Sequence, residues 1–433
     1  AASGGAMGEP TAGTSQPTAA TAEAENYVVI SADCHGGANV AGYRPYLESR
    51  YHHDFDAWQA GFHNPYPDIE GDDAERNWDS SRRLAELEAD GVVAEVLFPN
   101  TIPPFFPKTS LVHQPPGASD GDLERRWAGL RAHNRWMADF CADAPGRRAG
   151  ICQIMLHDVE GSVAEIRWAA EAGLTGGVLL PGAPPGSDVP PLYAPDYEPV
   201  WSVCEELGLP INHHSGSAAP DYGDYSAAQA MFLLEVVWWA HRTLWHLIFS
   251  GVMERHPNLQ FVFTEQGTAW LPDELTRLDY YHLRLSGTGA AAGSQEAKFG
   301  EAMGQLSLTP SEYWARQCQL GSSFIRAAEV PLRTRVGVDR IMWGSDFPHL
   351  EGCWPYSHEH LRLAFAGVAE DEVRAMVGGN AARVYGFDLA ALAPLAQRFG
   401  PSVAEVAVPL DPAEIPDDSL RCPAFASARF LGE

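Results

Sequence analysis

Eight short apolar runs, rich in β-branched residues and spaced along most of the chain, limit its possible folds more than any other feature. They are Tyr27-Val28-Val29-Ile30 and the runs at 92–98, 150–155, 177–180, 209–213, 259–264, 318–321 and 340–344. Apolar stretches this short, without polar alternation, suit strands covered on both faces. Between them, 79–90, 122–143, 159–172 and 197–207 place apolar residues at helical spacing, with Ser80 or Ser81 as candidate caps for the first. Strand and helix alternating in this way predict parallel pairing through right-handed crossovers. Eight such units in about 360 residues favour a closed (β/α)8 barrel over an open doubly wound sheet. No GxGxxG follows the first strand and no GxxxxGK[ST] occurs anywhere, so dinucleotide and P-loop readings lack their usual support.

The expected organisation is a flexible arm over 1–25, a barrel over 26–388 and a tail over 389–433. The arm is built of Ala, Gly, Ser, Thr, Pro and Glu and cannot offset the entropy of its own ordering. It also lacks the apolar stretch of a secretory signal. Segments 42–78 and 99–120, rich in Pro, Tyr, Trp and His, read as long loops over one barrel mouth. Trp238, Trp239 and Trp245 lie in a long segment, 227–255, and read as core.

With 29 basic against 57 acidic residues the formal charge is −28. That field repels phosphate backbones and anionic lipid, which sets nucleic-acid and membrane partners aside and leaves a small molecule. Seven cysteines without a CxxC pair read as unpaired thiols of a reducing compartment, so a cytoplasmic location is expected. No apolar run reaches the roughly 18 residues needed to span a bilayer.

A packed barrel interior needs a reason for charged residues where strands end. The first strand runs into Ser31-Ala32-Asp33-Cys34-His35, and side chains two apart on a strand point the same way. Asp33 and His35 can therefore meet one cation. The fifth strand ends in His213-His214, of which at most one faces the barrel mouth. The sixth ends in Glu265 and the eighth in Ser345-Asp346-Phe347-Pro348-His349. Imidazole and carboxylate together suit Zn²⁺ or a similar borderline divalent ion, with Ca²⁺ and Mg²⁺ ranked lower.

These strand ends, with Ile211-Asn212-His213-His214-Ser215-Gly216, the 250–257 segment Ser-Gly-Val-Met-Glu-Arg-His-Pro, and Gly379-Asn380-Ala381-Ala382-Arg383-Val384-Tyr385-Gly386, resemble the amidohydrolase-related family. More narrowly the chain is similar to the branch holding aminocarboxymuconate-semialdehyde decarboxylase and resorcylate-type decarboxylases. The resemblance covers about residues 27 to 388. It implies a distorted TIM barrel, one divalent metal, usually zinc and sometimes manganese, and often a homodimer. Its motifs imply Asp33, His35, His214 and Asp346 as metal ligands, with His213 facing the packing between strand and helix. Two departures stand out: Glu265 occupies the place of a catalytic His at the sixth strand, and the first motif is Asp-x-His where those decarboxylases carry His-x-His or Glu-x-His.

The departures put hydrolysis first. The expected enzyme is a metal-dependent hydrolase of a small aromatic or carbonyl compound, using a metal-activated water. Asp346, Glu265 and His349 are its catalytic candidates, with Glu265 as base, water-orienting group or further ligand. His241, Arg242, Trp354 and Tyr356 are the substrate-binding candidates, and Trp58, Phe62, Tyr66, Phe105 and Phe106 add aromatic surface for a planar substrate. Decarboxylation of a small aromatic or unsaturated acid is the first alternative; a barrel that binds a ligand without turnover is the second. Cys34 and Cys353 beside the site read as packing residues.

Overall fold

The computed structural model describes residues 25–64, 71–106, 120–286, 293–300 and 305–433. The arm expected over 1–25, Tyr66 and parts of both long loops lie outside them, apart from Glu25 at the arm's end. Nine strands form two all-parallel sheets: β1 (Ile30–Gly36), β2 (Ala94–Pro99) and β3 (Arg148–Gly150) in one, and β4 (Cys152–Gln153), β5 (Val178–Leu179), β6 (Ile211–His214), β7 (Phe261–Thr264), β8 (Cys318–Ser323) and β9 (Ile341–Gly344) in the other. Neighbours in space follow chain order, as right-handed βα repetition requires.

Backbone hydrogen bonds link the sheets at both edges. Ile151, between β3 and β4, donates to Leu97 on one side, and Cys152 donates to Gly177 on the other, so β3 and β4 are one strand interrupted at a single residue. At the opposite edge, Cys34 and Phe347 form a parallel bridge. There His35 N–H donates to Phe347 (2.7 Å) and Asp346 N–H to Asp33 (2.9 Å). The result is an eight-stranded ring of the TIM-barrel type, distorted where β9 meets β1. Gly344 permits that meeting: a Cβ there would stand 2.7 Å from the Asp33 Cβ.

The strands are buried along nearly all their length, which is why they read as unbroken apolar runs. Among the charged residues in these strands, Glu95 of β2 pairs with Arg83 Nη2 at 2.7 Å and Arg148 Nε at 3.2 Å, all three side chains within 1% of full burial. Arg83 lies on the Ser80–Ala89 helix, capped by Asp79 instead of the expected serines: the carboxylate accepts the Arg82 N–H at 2.8 Å.

The loop expected at 42–78 contains a helix at His52–Gly61 and 3₁₀ turns on either side of it. Its aromatics pack on one another, Trp58 against Phe62 at 4.8 Å and against Phe105 at 6.0 Å. The Trp-rich segment is one helix, Ala228–Phe249, buried in its C-terminal half. Trp238 is 49% exposed and Trp239 half-buried, so these two are not core as expected, whereas Trp245 is half-buried and packs against the core. Trp239 lies under the Arg242 guanidinium at 4.8 Å. The tail is helical at Leu389–Phe399 and Pro423–Leu431, and Phe425 is buried edge-on to His360. All seven cysteines are buried and free. No helix among the described residues is long and apolar enough to cross a membrane.

Candidate metal centre

The C-terminal ends of β1, β6, β7 and β9 deliver Asp33, His35, His214, Glu265 and Asp346 to one point. His35 Nε2 stands 3.2 Å from Asp33 Oδ1 and 3.1 Å from Asp346 Oδ1. His214 Nε2 stands 3.5 Å from Asp33 Oδ1 and 3.0 Å from Glu265 Oε2. Ligand atoms of Asp33, His35, His214 and Glu265 lie within 4.8 Å of one another, and so do those of His35, Glu265, Asp346 and His349.

Asp33 Oδ1, His35 Nε2, His214 Nε2 and both Asp346 carboxylate oxygens are buried with no partner in hydrogen-bonding geometry. The two groups of ligand atoms share His35 and Glu265, so these orphaned atoms lie around one region of the strand ends. Orphaned buried polar atoms cost about 1–3 kcal/mol each and more when charged, so five in one place call for an occupant. A divalent cation meets that need, and imidazole with carboxylate is a donor set that such ions accept.

The remaining atoms of the candidate ligands are held from outside. His35 Nδ1 is 3.3 Å from the Pro99 carbonyl and His214 Nδ1 is 3.0 Å from that of Ser215, contacts that turn Nε2 inward in both rings. Ser323 Oγ donates to Asp33 Oδ2. Glu265 and Asp346 have left-handed backbones, φ 54° and 61°, an uncommon strain for residues other than glycine and one that clusters at functional sites. His213, by contrast, is buried toward the helix layer, with Nδ1 3.1 Å from Leu180 O and Nε2 2.9 Å from Thr243 Oγ1.

Charges are unevenly shared. Burial alone would raise the Asp33 carboxyl, but the His214 and His35 imidazoles hold it below the ordinary carboxylate range. Burial and the Asp346 charge push Glu265 up, against the pull of His214. Burial would lower His349, yet the Asp346 carboxylate, 2.9 Å from Nδ1, raises it to about 10. His349 thus carries a proton near neutral pH, at the rim of the cluster. Burial also pushes the Cys34 thiol up, which keeps it neutral.

Above the cluster opens a cavity of about 440 Å³, lined by His35, Asn100, His214, Glu265 and His349 at its floor and by Phe98, Leu179, Phe232 and Val236 on its walls. That volume and apolar lining suit a small organic molecule. His241, Arg242, Trp354 and Tyr356 are not among the lining residues. His241 stacks on Trp270 at 3.7 Å, with Nε2 2.8 Å from Gln266 O. Arg242 lies over Trp239, Trp354 receives the Arg76 guanidinium at 4.5 Å, and Tyr356 donates to Asp418 in the tail. The aromatic walls come instead from β2 and the first half of the Ala228–Phe249 helix. Asn100 went unnoticed in the sequence, although the strand-end reasoning that found Asp33 and Glu265 applies equally to the Pro99-Asn100 exit of β2.

A family model described as Amidohydrolase matches residues 73–387. The chain belongs to the amidohydrolase family. Among curated proteins it is similar to gamma-resorcylate decarboxylase from a Rhizobium species, 28% identical over 158 residues, covering 35% of this chain and 47% of that one. A gamma-resorcylate decarboxylase from Rhodococcus jostii is 30% identical over 171 residues, covering 37% and 51%. The match spans about half the length of these curated relatives. Among solved structures, 5-carboxyvanillate decarboxylase from Sphingomonas paucimobilis superposes with a TM-score of 0.60 at 22% identity, over 83% of this chain and 99% of that one. The Novosphingobium aromaticivorans 5-carboxyvanillate decarboxylase, complexed with manganese and 4-hydroxy-3-methoxy-5-nitrobenzoic acid, gives 0.63 at 21%, over 84% and 97%. A 2,6-dihydroxybenzoate decarboxylase from Rhizobium gives 0.57 at 16%, over 84% and 99%. At these identities the amidohydrolase shares their fold.

Proposed function

We propose that this amidohydrolase is a metal-dependent, non-oxidative decarboxylase of small aromatic acids. The observation that carries the reading is the set of five orphaned donor atoms on Asp33, His35, His214 and Asp346 beneath an apolar cavity. The curated relatives, all decarboxylases of one aromatic acid, favour this reaction over the hydrolysis that the sequence departures put first. One divalent ion held by Asp33, His35, His214 and Asp346 would supply Lewis-acid charge for the substrate carboxylate and a neighbouring ring oxygen. Manganese ranks ahead of zinc, because structures sharing this fold hold manganese.

The protein's own residues supply the rest. Phe98, Leu179, Phe232 and Val236 take the ring and keep water from it. When the bond between ring and carboxylate breaks, CO₂ leaves and the electron pair remains on the ring carbon, which takes up one proton. His349 holds that proton on Nδ1 beside Asp346, at the cavity floor, and regains it from solvent after product leaves. Glu265, with Oε2 3.0 Å from the same His214 Nε2, takes the place of the histidine expected there and would serve as a further ligand or a water-orienting group.

The test is to incubate manganese-loaded protein with 2,6-dihydroxybenzoate and with 5-carboxyvanillate in ¹⁸O-labelled water. Stoichiometric CO₂ from either, with no label in the ring product, supports decarboxylation. No CO₂ from either acid, with label entering the product of an aryl ester or lactone, would return the assignment to hydrolysis.

A further inference from the structure

The cavity over the metal cluster ends in apolar side chains that stand in solvent. Leu233 and Leu350 both line it, yet they are 67% and 50% exposed, which places them at its mouth. Phe232 and Val236, from the same helix as Leu233, are only partly buried in the cavity wall. Between Ala228 and Ala240 this helix has one charged residue, Glu235, whose carboxylate accepts the Tyr222 hydroxyl at 2.6 Å. The solvent side of a helix ordinarily carries polar residues, and apolar side chains gathered there mark a surface that something covers. At the mouth the charged lining residue is Glu351, which is exposed, and no lysine or arginine is among the described residues that line the cavity.

We propose that the preferred substrate is an aromatic acid with an uncharged alkyl chain on the ring carbon opposite the carboxylate, and that Leu233 and Leu350 select for that chain. The inference rests on the decarboxylase reading, which directs the carboxylate to the cavity floor and so turns the opposite ring carbon toward the mouth. A hydrogen at that carbon leaves the two leucines in water. A chain of a few carbons covers them, and each methylene moved from water onto apolar surface strengthens binding about two- to fourfold. A chain ending in a carboxylate would meet the Glu351 charge with no cation beside it and lose that gain. The cavity's volume, about 440 Å³, lies in the range of roughly 300–1,000 Å³ that takes drug-sized ligands, which leaves room for a ring and its chain together.

Binding can be read apart from turnover with 2-nitroresorcinol, whose nitro group stands where the acid has its carboxylate and cannot leave as CO₂. Calorimetric titration of manganese-loaded protein with this compound and its 5-methyl, 5-propyl and 5-pentyl homologues should show Kd falling about two- to fourfold per methylene. The matching 4-alkyl-2,6-dihydroxybenzoates should show kcat/KM rising in step, mainly through KM. Leu233→Asp should flatten both series, shrinking the advantage of pentyl over methyl by at least about tenfold. A Kd that is independent of chain length, or a series as steep in Leu233→Asp as in the wild type, would overturn the inference. Should that variant fail to fold, Leu350→Asp puts the same question to the other leucine. CO₂ from 2,6-dihydroxybenzoate with a flat Kd series would keep the decarboxylase reading and discard the alkyl preference. A steep Kd series with no CO₂ from any of the acids would discard the reaction and keep the preference of the mouth.

Discussion

His35 Nε2 lies 3.1 Å from Asp346 Oδ1, and neither atom has a hydrogen-bond partner. Two groups from the first and last strands of the ring are thus brought into contact without satisfying each other. A cation touching both would satisfy them, since desolvated groups left without a partner otherwise cost stability or change their protonation.

Metal loading should therefore stabilise the fold. Manganese at a hundredfold excess over its dissociation constant adds about 2.7 kcal/mol. Calorimetry should show a higher Tm with the metal and a return to the lower value on chelation. Asp346→Asn should bind manganese more weakly and lose turnover by at least about a hundredfold; wild-type kcat in that variant would remove Asp346 from the chemistry.

Gly344 sets the spacing of the first and last strands. Because an added methyl would meet the Asp33 Cβ at 2.7 Å, Gly344→Ala should displace that ligand. Manganese affinity, titrated calorimetrically, should fall roughly 10- to 100-fold, while circular dichroism stays that of a folded barrel. Unchanged affinity would mean that the strands have slack there.

How much of this was legible in the chain follows from the same geometry. Eight apolar runs announced the barrel because parallel strands are buried on both faces, and Asp33, His35, Glu265 and Asp346 stood out as polar breaks at their ends. The alternation of side chains along a strand allowed one of His213 and His214 into the mouth, and the structure brings His214 to the cluster. The cavity walls were less visible. Phe232 and Val236 come from a helix whose apolar residues look like ordinary core until the barrel places its first half over the mouth. The loop aromatics Trp58 and Phe62 looked like substrate surface but satisfy each other.

The buried charge cluster behind β2 predicts a stability effect. Glu95→Gln would leave Arg83 and Arg148 without their shared carboxylate, at a cost of roughly 3–5 kcal/mol. Denaturant unfolding should show that loss as a lower midpoint with an unchanged slope. A change under 1 kcal/mol would mean that the two arginines find other partners.

His133 makes acid stability testable. Its ring is fully buried against Tyr43, neither nitrogen has a hydrogen-bond partner, and burial lowers its pKa to about 3. An unfolded histidine near 6.5 takes a proton that the folded one refuses, so the stability tied to this neutral ring is present above about pH 6.5 and is lost as pH falls toward 3. The loss reaches about 2 kcal/mol by pH 5. His133→Phe should be less sensitive to acid than the wild type between pH 7 and 5; parallel pH profiles for the two proteins would contradict this.

The central claim is that Asp33, His35, His214 and Asp346 surround one divalent ion. Anomalous diffraction from crystals grown with manganese measures this most directly. The account predicts one strong peak at the floor of the cavity, with side-chain atoms of all four residues within roughly 2.0–2.3 Å of it. A peak elsewhere, or an ordered protein with these four side chains turned apart and no peak between them, would contradict it.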